Sequence, residues 1–519
     1  MGAVDRSYDD LRRAFRWRLP ATLNLGTQVC GHQPRGDPAI LVTDGRDVTR
    51  TVTFGELSDD SNRLANALRG LGVGPGDRIG IVLPQRPETA LAHIAAAKLG
   101  AIAVPLSVLF GPDALEMRLR DADVRVVLGE TEPLERIAAL GLDVRFVDVD
   151  RDLERLLAGA SPRLEPFEST PDTPALIVYT SGTTGAPKGA LHGHRVLAGH
   201  LPGFELSHDF FPQGDDVIWT PADWAWIGGL YDVLMPALHH ARPVVAFSGG
   251  KFDPERAFDL IGRIGVRNVF MPATALRLMR RHDAGAPVSL RTVASGGETV
   301  GVETAEWCRE RLGVRLNEFY GQTEANLLVG NCCAWDARPG SMGLPYPGHE
   351  VRVVDGEVCA RVDGDPVAFL GYWRNQEATA AKVRDGWLQT GDQAEQDEDG
   401  YVYFVGRDDD VISSAGHRIG PGPIEECLIR HPSVALAAVI GTPDEERGEV
   451  VKAYVVAAPG VTVTDELSRE LQAFVRERLS AYEYPRAVAF VDELPTTVTG
   501  KIRRGELRRL DCPTPAAEG

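Results

Sequence analysis

The sequence predicts an α/β protein. A large N-terminal domain of βαβ subdomains ends in a small β subdomain, and a small α+β C-terminal domain follows. Three observations predict it. Short apolar runs alternate with amphipathic helical faces through the first two thirds. After Gly343 the strands shorten and turns crowd between them. From about Asp409 a compact module begins with its own helices and strands. A chain of 519 residues is also too long for one hydrophobic core. We therefore divide it into residues 1–408 and 409–519, with the boundary at Arg407–Asp410.

The elements follow in order. Thr53 and Glu56 form a capping box, and Leu57, Leu64, Ala65, Leu68 and Leu71 mark one face of the helix behind it. Arg78–Leu83 reads as a strand, Glu88–Leu99 as a helix and Ala101–Val104 as a strand. Val124–Leu128 and Val144–Val149 continue this βαβ alternation, which predicts parallel strands. Ala175–Val178 (ALIV) has the composition of a buried strand. Val217–Thr220, Pro243–Phe247, Val269–Met271 and Thr292–Ser295 repeat the pattern, each ending at or beside Pro, Gly or Ser. Val351–Val354, Gly356–Arg361, Tyr401–Val405 and Val411–Ser413 are the short strands of the β subdomain. In the last module Ile424–Arg430 and Asp465–Leu479 read as helices, with strands at Leu436–Ile440 and Lys452–Val456.

Composition narrows the function. Apolar residues make up 43% of the chain and charged residues 25%, ordinary for a globular protein. The net charge of −19 argues against a nucleic-acid-binding surface and against docking on anionic lipid. Seven scattered cysteines show no CxxC or metal-like spacing, which fits reduced thiols in a cytoplasm. Cys332 and Cys333 are adjacent and read as buried small hydrophobes. The opening MGAVDRSYDD lacks the basic and apolar regions of a signal peptide. The most apolar stretch, Leu91–Phe110, is interrupted by His93, Lys98, Gly100 and Pro105, so no membrane span is expected.

The most informative stretch is Tyr179–Gly189, YTSGTTGAPKG, directly after the ALIV strand. Its glycines let backbone N–H groups turn toward an anion, its hydroxyls add donors, and Lys188 adds a point charge. Thr180, Ser181, Gly182, Thr183, Thr184 and Lys188 together suit a polyphosphate. Because Gly189 follows Lys188, this is not a Walker A loop. In Ser295–Glu298 (SGGE), Gly296 and Gly297 let a flat ligand lie against the backbone, beside Glu298. In Glu318–Glu324 (EFYGQTE), Tyr320 can stack on a base, with Gly321 and Gln322 next to it. Thr323 can donate to a phosphate oxygen. Glu324 can hold Mg²⁺ together with phosphates, since Mg²⁺ takes one or two carboxylates plus phosphate oxygens. Asp392, in WLQTGD, can accept from vicinal hydroxyls of a sugar, and Arg407, in GRDDD, can donate to the same sugar. Lys501 follows Thr499–Gly500 in PTTVTGKIRR, on an expected exposed turn.

In this order the motifs resemble those of the adenylate-forming superfamily, which includes acyl-CoA synthetases, adenylation domains and luciferases. Ala325–Asn331 (ANLLVGN) and Tyr482–Arg486 (YEYPR) are similar to medium-chain acyl-CoA synthetases. The resemblance implies ATP, Mg²⁺ and coenzyme A as cofactor and co-substrates, and a carboxylic acid as substrate. It implies that SGGE lines an adenine pocket, that Asp392 and Arg407 bind ribose, and that Lys501 is catalytic. It also implies a C-terminal domain that is mobile about Asp409, presenting first the lysine and then a thiol tunnel. Ala415–Pro421 (AGHRIGP) resembles the segment lining that tunnel, where Gly416 would let pantetheine pass and Arg418 would serve the phosphates. Ala415 stands where serine is common, and Gly422–Pro423 departs from the usual aromatic.

Pro221–Leu230 (PADWAWIGGL) matches the segment that faces the acyl group. Trp224 and Trp226 can floor or cap a pocket, and Gly228 and Gly229 leave space. Bulky indoles suggest a short- or medium-chain acid, an aromatic acid also being compatible. The implied activity is an ATP-dependent, AMP-forming acyl-CoA synthetase. The alternative is an adenylating enzyme that passes the acyl group to a separate carrier protein or amine. The segment around Lys501 is also like those acetylated in acyl-CoA synthetases, implying a lysine acetyltransferase as a partner.

Overall fold

A computed structural model of the chain describes residues 6–180, 187–282, 287–414, 417–444, 447–479, 483–497 and 501–511. The chain forms two compact units, residues 1–351 with 360–388 and residues 352–359 with 389–519. The α/β class and the parallel βαβ pattern are as the sequence predicts.

The first unit holds two sheets. The seven-stranded sheet runs in the order Gly371–Tyr372, Lys188–Gly193, Pro174–Thr180, Ile102–Pro105, Arg78–Val82, Val124–Gly129 and Arg145–Asp148. From Pro174–Thr180 through Arg145–Asp148 all neighbours are parallel. Ile79–Val82 and Ile102–Pro105 are buried residue after residue. Both faces of a parallel sheet are covered, so its strands read as continuous apolar runs rather than alternating ones. The helix Pro87–Leu99 is buried from Thr89 to Leu99 and is accordingly apolar or small on nearly every side. The Thr53–Glu56 capping box forms: Glu56 N–H donates to Thr53 Oγ1 at 3.2 Å and Thr53 N–H to Glu56 Oε2 at 2.8 Å. Behind it Leu57, Leu64, Ala65 and Leu68 are buried.

The nine-stranded sheet has a parallel centre of Asn268–Phe270, Thr292–Gly296 and Leu316–Gln322. The chain then turns back antiparallel as Asn326–Gly330. At the other edge Pro38–Thr43 and Val48–Thr53 form an antiparallel pair. The second of these strands is mostly exposed, so no apolar run announces it.

In the second unit Ile412–Ser414, His417–Ile419, Val434–Asp444 and Gly448–Ala457 form an antiparallel sheet, and Ala487–Phe490 joins it parallel to Gly448–Ala457. Ile424, Leu428, Val439, Val455, Leu471 and Val475 are its core. Ile412–Ser414 therefore belongs here and not to the β subdomain, because Ser414 pairs with Gly448. The first helix starts at Pro421 rather than Ile424, since proline fits the first helical turn, where its missing N–H costs nothing. The adjacent cysteines also differ from expectation: Cys332 is buried but Cys333 is exposed, and both approach the Asp209 carboxylate.

Three histidines make the first unit acid-sensitive. His93, His192 and His208 are wholly enclosed, and burial pushes each imidazole from its ordinary value of 6.5 to about 3. Between these two values the unfolded chain binds the proton and the folded chain does not. Stability is therefore complete above pH 6.5 and is lost as pH falls toward 3. At pH 5 each histidine costs about 2 kcal/mol on this account, at about 1.4 kcal/mol per pH unit. Thermal unfolding at pH 7.5 and pH 5.0 should show a marked drop in Tm at the lower pH. An unchanged Tm would contradict neutral burial.

Candidate active site

In the first unit, the glycine- and hydroxyl-rich motif begins at the end of the Pro174–Thr180 strand and rejoins the sheet at Lys188. Thr180 pairs in register with Lys188, and its Oγ1 donates to the Lys188 carbonyl at 3.4 Å. Ser181, Gly182, Thr183 and Thr184 lie outside the described residues. Lys188 is exposed, with its Nζ 5.4 Å from the centre of the Tyr372 ring. Such a contact between ammonium and ring face contributes modestly at an exposed site.

Tyr372 connects Lys188 to the second motif. Its hydroxyl donates to Glu324 Oε1 at 2.5 Å. Glu324 is only 6% exposed and lies just beyond the end of the Leu316–Gln322 strand. The hairpin that carries it depends on Gly321. A Cβ there would lie 2.1 Å from the Asn326 carbonyl oxygen, so only glycine permits the turn. Asn326 takes a left-handed φ of 62° and anchors the hairpin through its Nδ2 to the Val367 carbonyl at 3.0 Å. Phe369 N–H donates to the Glu324 carbonyl at 3.2 Å. A backbone hydrogen bond ties the His192 ring to Thr323. The carboxyl ends of the two sheets thus converge on Lys188, Thr323 and Glu324, where ligands of open α/β sheets bind.

Gly296 ends the neighbouring strand. A Cβ there would sit 2.5 Å from the Phe319 ring and 2.7 Å from its carbonyl, so an aromatic ring occupies the space. Gly297 is left-handed at φ 83° and exposed. Glu298 accepts from Thr274 Oγ1 at 3.1 Å. Tyr320 is 9% exposed, and Gln322 is partly exposed.

The tryptophans part company. Trp224 is wholly buried, whereas Trp226 keeps some exposure and packs edge-on to Phe110 at 5.6 Å. The two glycines differ as well. A Cβ on Gly229 would meet the Asp223 carbonyl oxygen at 2.4 Å, so its role is close backbone approach. Gly228 faces the edge of the Phe270 ring at 3.2 Å and Asp232 Oδ2 at 3.7 Å.

In the second unit Asp392 and Arg407 are directly opposed in register, with Arg407 Nη1 3.5 Å from Asp392 Oδ1. Asp392 is 4% exposed, and its N–H donates to Thr390 Oγ1 at 3.1 Å. Arg407 Nε lies 3.7 Å from Asp409 Oδ1. The next carboxylate turns the other way. Asp410 accepts from Arg508 Nη2 at 2.9 Å and Arg504 Nη1 at 3.4 Å. Lys501 is exposed on a tight turn where its N–H donates to Thr497 Oγ1 at 3.1 Å and its carbonyl accepts from Thr497 N–H at 2.7 Å. Gly416 lies outside the described residues, and Arg418 falls in the His417–Ile419 strand.

Sequence reasoning missed Tyr372, Phe270, Phe319, His200 and Asp232. Tyr372 carries no motif signal of its own. It is found only because Gly371–Tyr372 pairs with Lys188–Gly193 as a strand. The run of histidines at 192, 194 and 200 was the one visible pointer to the buried polar cluster.

Comparison with known proteins gives consistent findings. The family model for the AMP-binding enzyme matches residues 27–368, and that for the AMP-binding enzyme C-terminal domain matches residues 423–501. The acetyl-coenzyme A synthetase of Bacillus subtilis (strain 168) is 34% identical over 496 residues, covering 90% of this chain and 86% of the relative. The mitochondrial acyl-coenzyme A synthetase ACSM4 of Homo sapiens is 33% identical, covering 94% of this chain and 91% of the relative. The crystal structure of the anthranilate CoA ligase AuaEII in complex with anthranoyl-AMP matches with a TM-score of 0.87 at 29% identity, covering 95% of this chain and 98% of that one.

Proposed function

This chain belongs to the AMP-binding enzyme family, and on that premise we propose that it is an AMP-forming acyl-CoA synthetase. In the first half-reaction a carboxylate oxygen of the acid attacks the α-phosphorus of ATP. The bond from that phosphorus to the bridging oxygen breaks and pyrophosphate leaves. In the second, the coenzyme A sulfur attacks the acyl carbonyl carbon. The bond to AMP breaks, and the thiol proton passes to solvent.

The observation that carries this reading is the line Lys188–Tyr372–Glu324. It groups a cation, a hydroxyl and a buried carboxylate, a set that suits a polyphosphate. Thr323 stands next to the carboxylate as a phosphate donor. The donor set suits Mg²⁺, a hard cation that takes oxygen ligands. Tyr372 holds one oxygen of Glu324, leaving the second for the cation, which when bound would neutralise phosphate charge. Gly297 and Glu298 take the adenine, with Tyr320, Gly321 and Gln322 along it, while Gly296 serves the close approach of the Phe319 ring rather than the ligand. Asp392 and Arg407 take the ribose hydroxyls. Lys501 stabilises charge on the α-phosphate, and the chain bends at Asp409. Gly416 and Arg418 serve coenzyme A. Trp226 and Gly228 face the acyl group, which is short, medium or aromatic. No helix among the described residues is long and apolar enough to cross a membrane, and the six described cysteines are free, supporting a reducing compartment such as the cytoplasm.

The test is AMP and pyrophosphate release with Mg·ATP across acids from acetate to decanoate plus benzoate, with and without coenzyme A. AMP release that needs coenzyme A supports the reading. Pyrophosphate release that coenzyme A does not accelerate would move it to a carrier-dependent adenylating enzyme.

Tyr372→Phe keeps the ring beside Lys188 but removes the hydroxyl from Glu324. A buried carboxylate oxygen left without its donor costs about 1–3 kcal/mol. We expect kcat/KM for Mg·ATP to fall on the order of tenfold or more, with the ratio between acids unchanged. Wild-type kinetics in this variant would remove Tyr372 from the site.

A further inference from the structure

A buried carboxylate–imidazole pair lies beside Gly228, and the nucleotide chemistry above does not use it. His200 Nδ1 and Asp232 Oδ1 are 2.6 Å apart, with both side chains almost fully enclosed. The pair bridges the Val196–Ser207 helix and the Leu230–Leu234 turn, which is π-helical. Single π-helical turns widen a helix by one residue and recur at functional sites. Here the turn directly follows Ile227–Gly229, the segment proposed to face the acyl group.

The pair is only half satisfied. Asp232 Oδ1 is engaged by His200. Among the described residues nothing donates to Oδ2, the oxygen 3.7 Å from the Gly228 Cβ position. His200 Nε2 is also buried and has no partner among them. The other neighbour of Gly228 is aromatic. The Phe270 ring borders Gly228 and stacks on Phe319 at 5.3 Å, and Phe319 in turn covers Gly296. Two residues before Gly228, Trp226 packs edge-on to Phe110. On its inner side the pair reaches the catalytic hairpin, since His192 bonds the Thr323 backbone and lies close enough to His200 for their charges to oppose.

A carboxylate oxygen without a protein donor, on a side chain almost fully enclosed and beside an aromatic ring, favours an occupant that supplies a donor. A hydrocarbon chain supplies none. We propose that His200 and Asp232 form a specificity site for a carboxylic acid bearing a hydrogen-bond donor, a hydroxyl or amino group, which Asp232 Oδ2 accepts. The substituent reaches the carboxylate past Gly228, which puts no side chain in the way, and Phe270 packs against the carbon skeleton. A site built to bond a substrate OH or NH can reject the analogue lacking it by about 10⁴–10⁵, because its own polar groups are then left unpaired.

This inference rests on the acyl-CoA synthetase reading, and paired acids separate the two. The full-length protein is assayed for coenzyme A-dependent AMP release with benzoate and its hydroxy and amino derivatives, and with butanoate to octanoate and their hydroxy derivatives. Binding of the same acids is titrated calorimetrically in the presence of a non-hydrolysable Mg·ATP analogue. At least one donor-bearing acid should exceed its unsubstituted partner in kcat/KM by about 10²-fold or more. In Asp232→Asn that preference should collapse to within about tenfold, with KM for ATP unchanged, an outcome a merely structural role would not produce. The wild-type comparison decides even if the variant fails to fold. Unsubstituted acids that match every derivative would overturn the inference while leaving the synthetase reading intact, a bound water then filling the site. Equal loss on both acids in Asp232→Asn would overturn it too. Preferential binding of donor-bearing acids without coenzyme A turnover would support the inference and sink the synthetase reading. Absence of binding and turnover with every acid would overturn both.

Discussion

Lys501→Ala lowers acid-dependent pyrophosphate release by about 10²–10³, the usual cost of removing one preorganised donor from a transition state. The same variant, supplied with acyl-AMP and coenzyme A, still forms thioester at close to the wild-type rate. The structure supports so separable an effect. Lys501 is exposed, its backbone rather than its side chain closes the turn with Thr497, and no described residue pairs with its ammonium. Truncation therefore removes charge without removing packing, and Tm should move little. Three residues on, Arg504 ties the chain to Glu425, its Nη2 donating to Oε2 at 2.7 Å and its Nε to Oε1 at 3.3 Å. Lys501→Gln, which imitates acetylation, should match the alanine variant. A comparable loss in both half-reactions would remove Lys501 from the adenylation step.

Glu324→Gln abolishes the dependence on Mg²⁺ that the wild type should show. The amide keeps the size of the side chain and an oxygen for the Tyr372 hydroxyl, so the hairpin stays folded. It removes the negative charge that would hold a divalent cation against the phosphates. Metal-ion charge stabilisation is worth several kcal/mol, so we expect acid-dependent pyrophosphate release to fall on the order of 10³-fold or more. Titration of Mg²⁺ at fixed ATP reads this directly. A variant with the wild-type Mg²⁺ midpoint and rate would show that Glu324 is a structural carboxylate bonded to Tyr372 and nothing more.

Residues close together in the chain were the legible part of this site. Thr180 to Lys188, Gly296 to Glu298 and Tyr320 to Glu324 are each short strings whose spacing carries the chemistry. The βαβ order was equally plain, because strands buried on both faces leave unbroken apolar runs such as Arg78–Leu83. Strand Ile412–Ser414 was assigned to the wrong sheet because its deciding contact, Ser414 with Gly448, is remote in sequence, whereas helix Pro421–Ile429 was started late although its proline is a local signal for the first turn.

The sequence by itself determined the fold class, the motif order and the residue types that suit a polyphosphate, since all of these follow from local spacing and hydrophobic period. Tertiary structure alone decided which distant side chains complete the site. Tyr372 reaches Glu324 across 48 residues, and His200 reaches Asp232 across 32. It also separated Trp224, sealed in the interior, from Trp226, which keeps a face toward solvent. A hydrogen bond or a buried ring is set by which strand lies beside which, and that pairing leaves no mark in the spacing of either partner's neighbours.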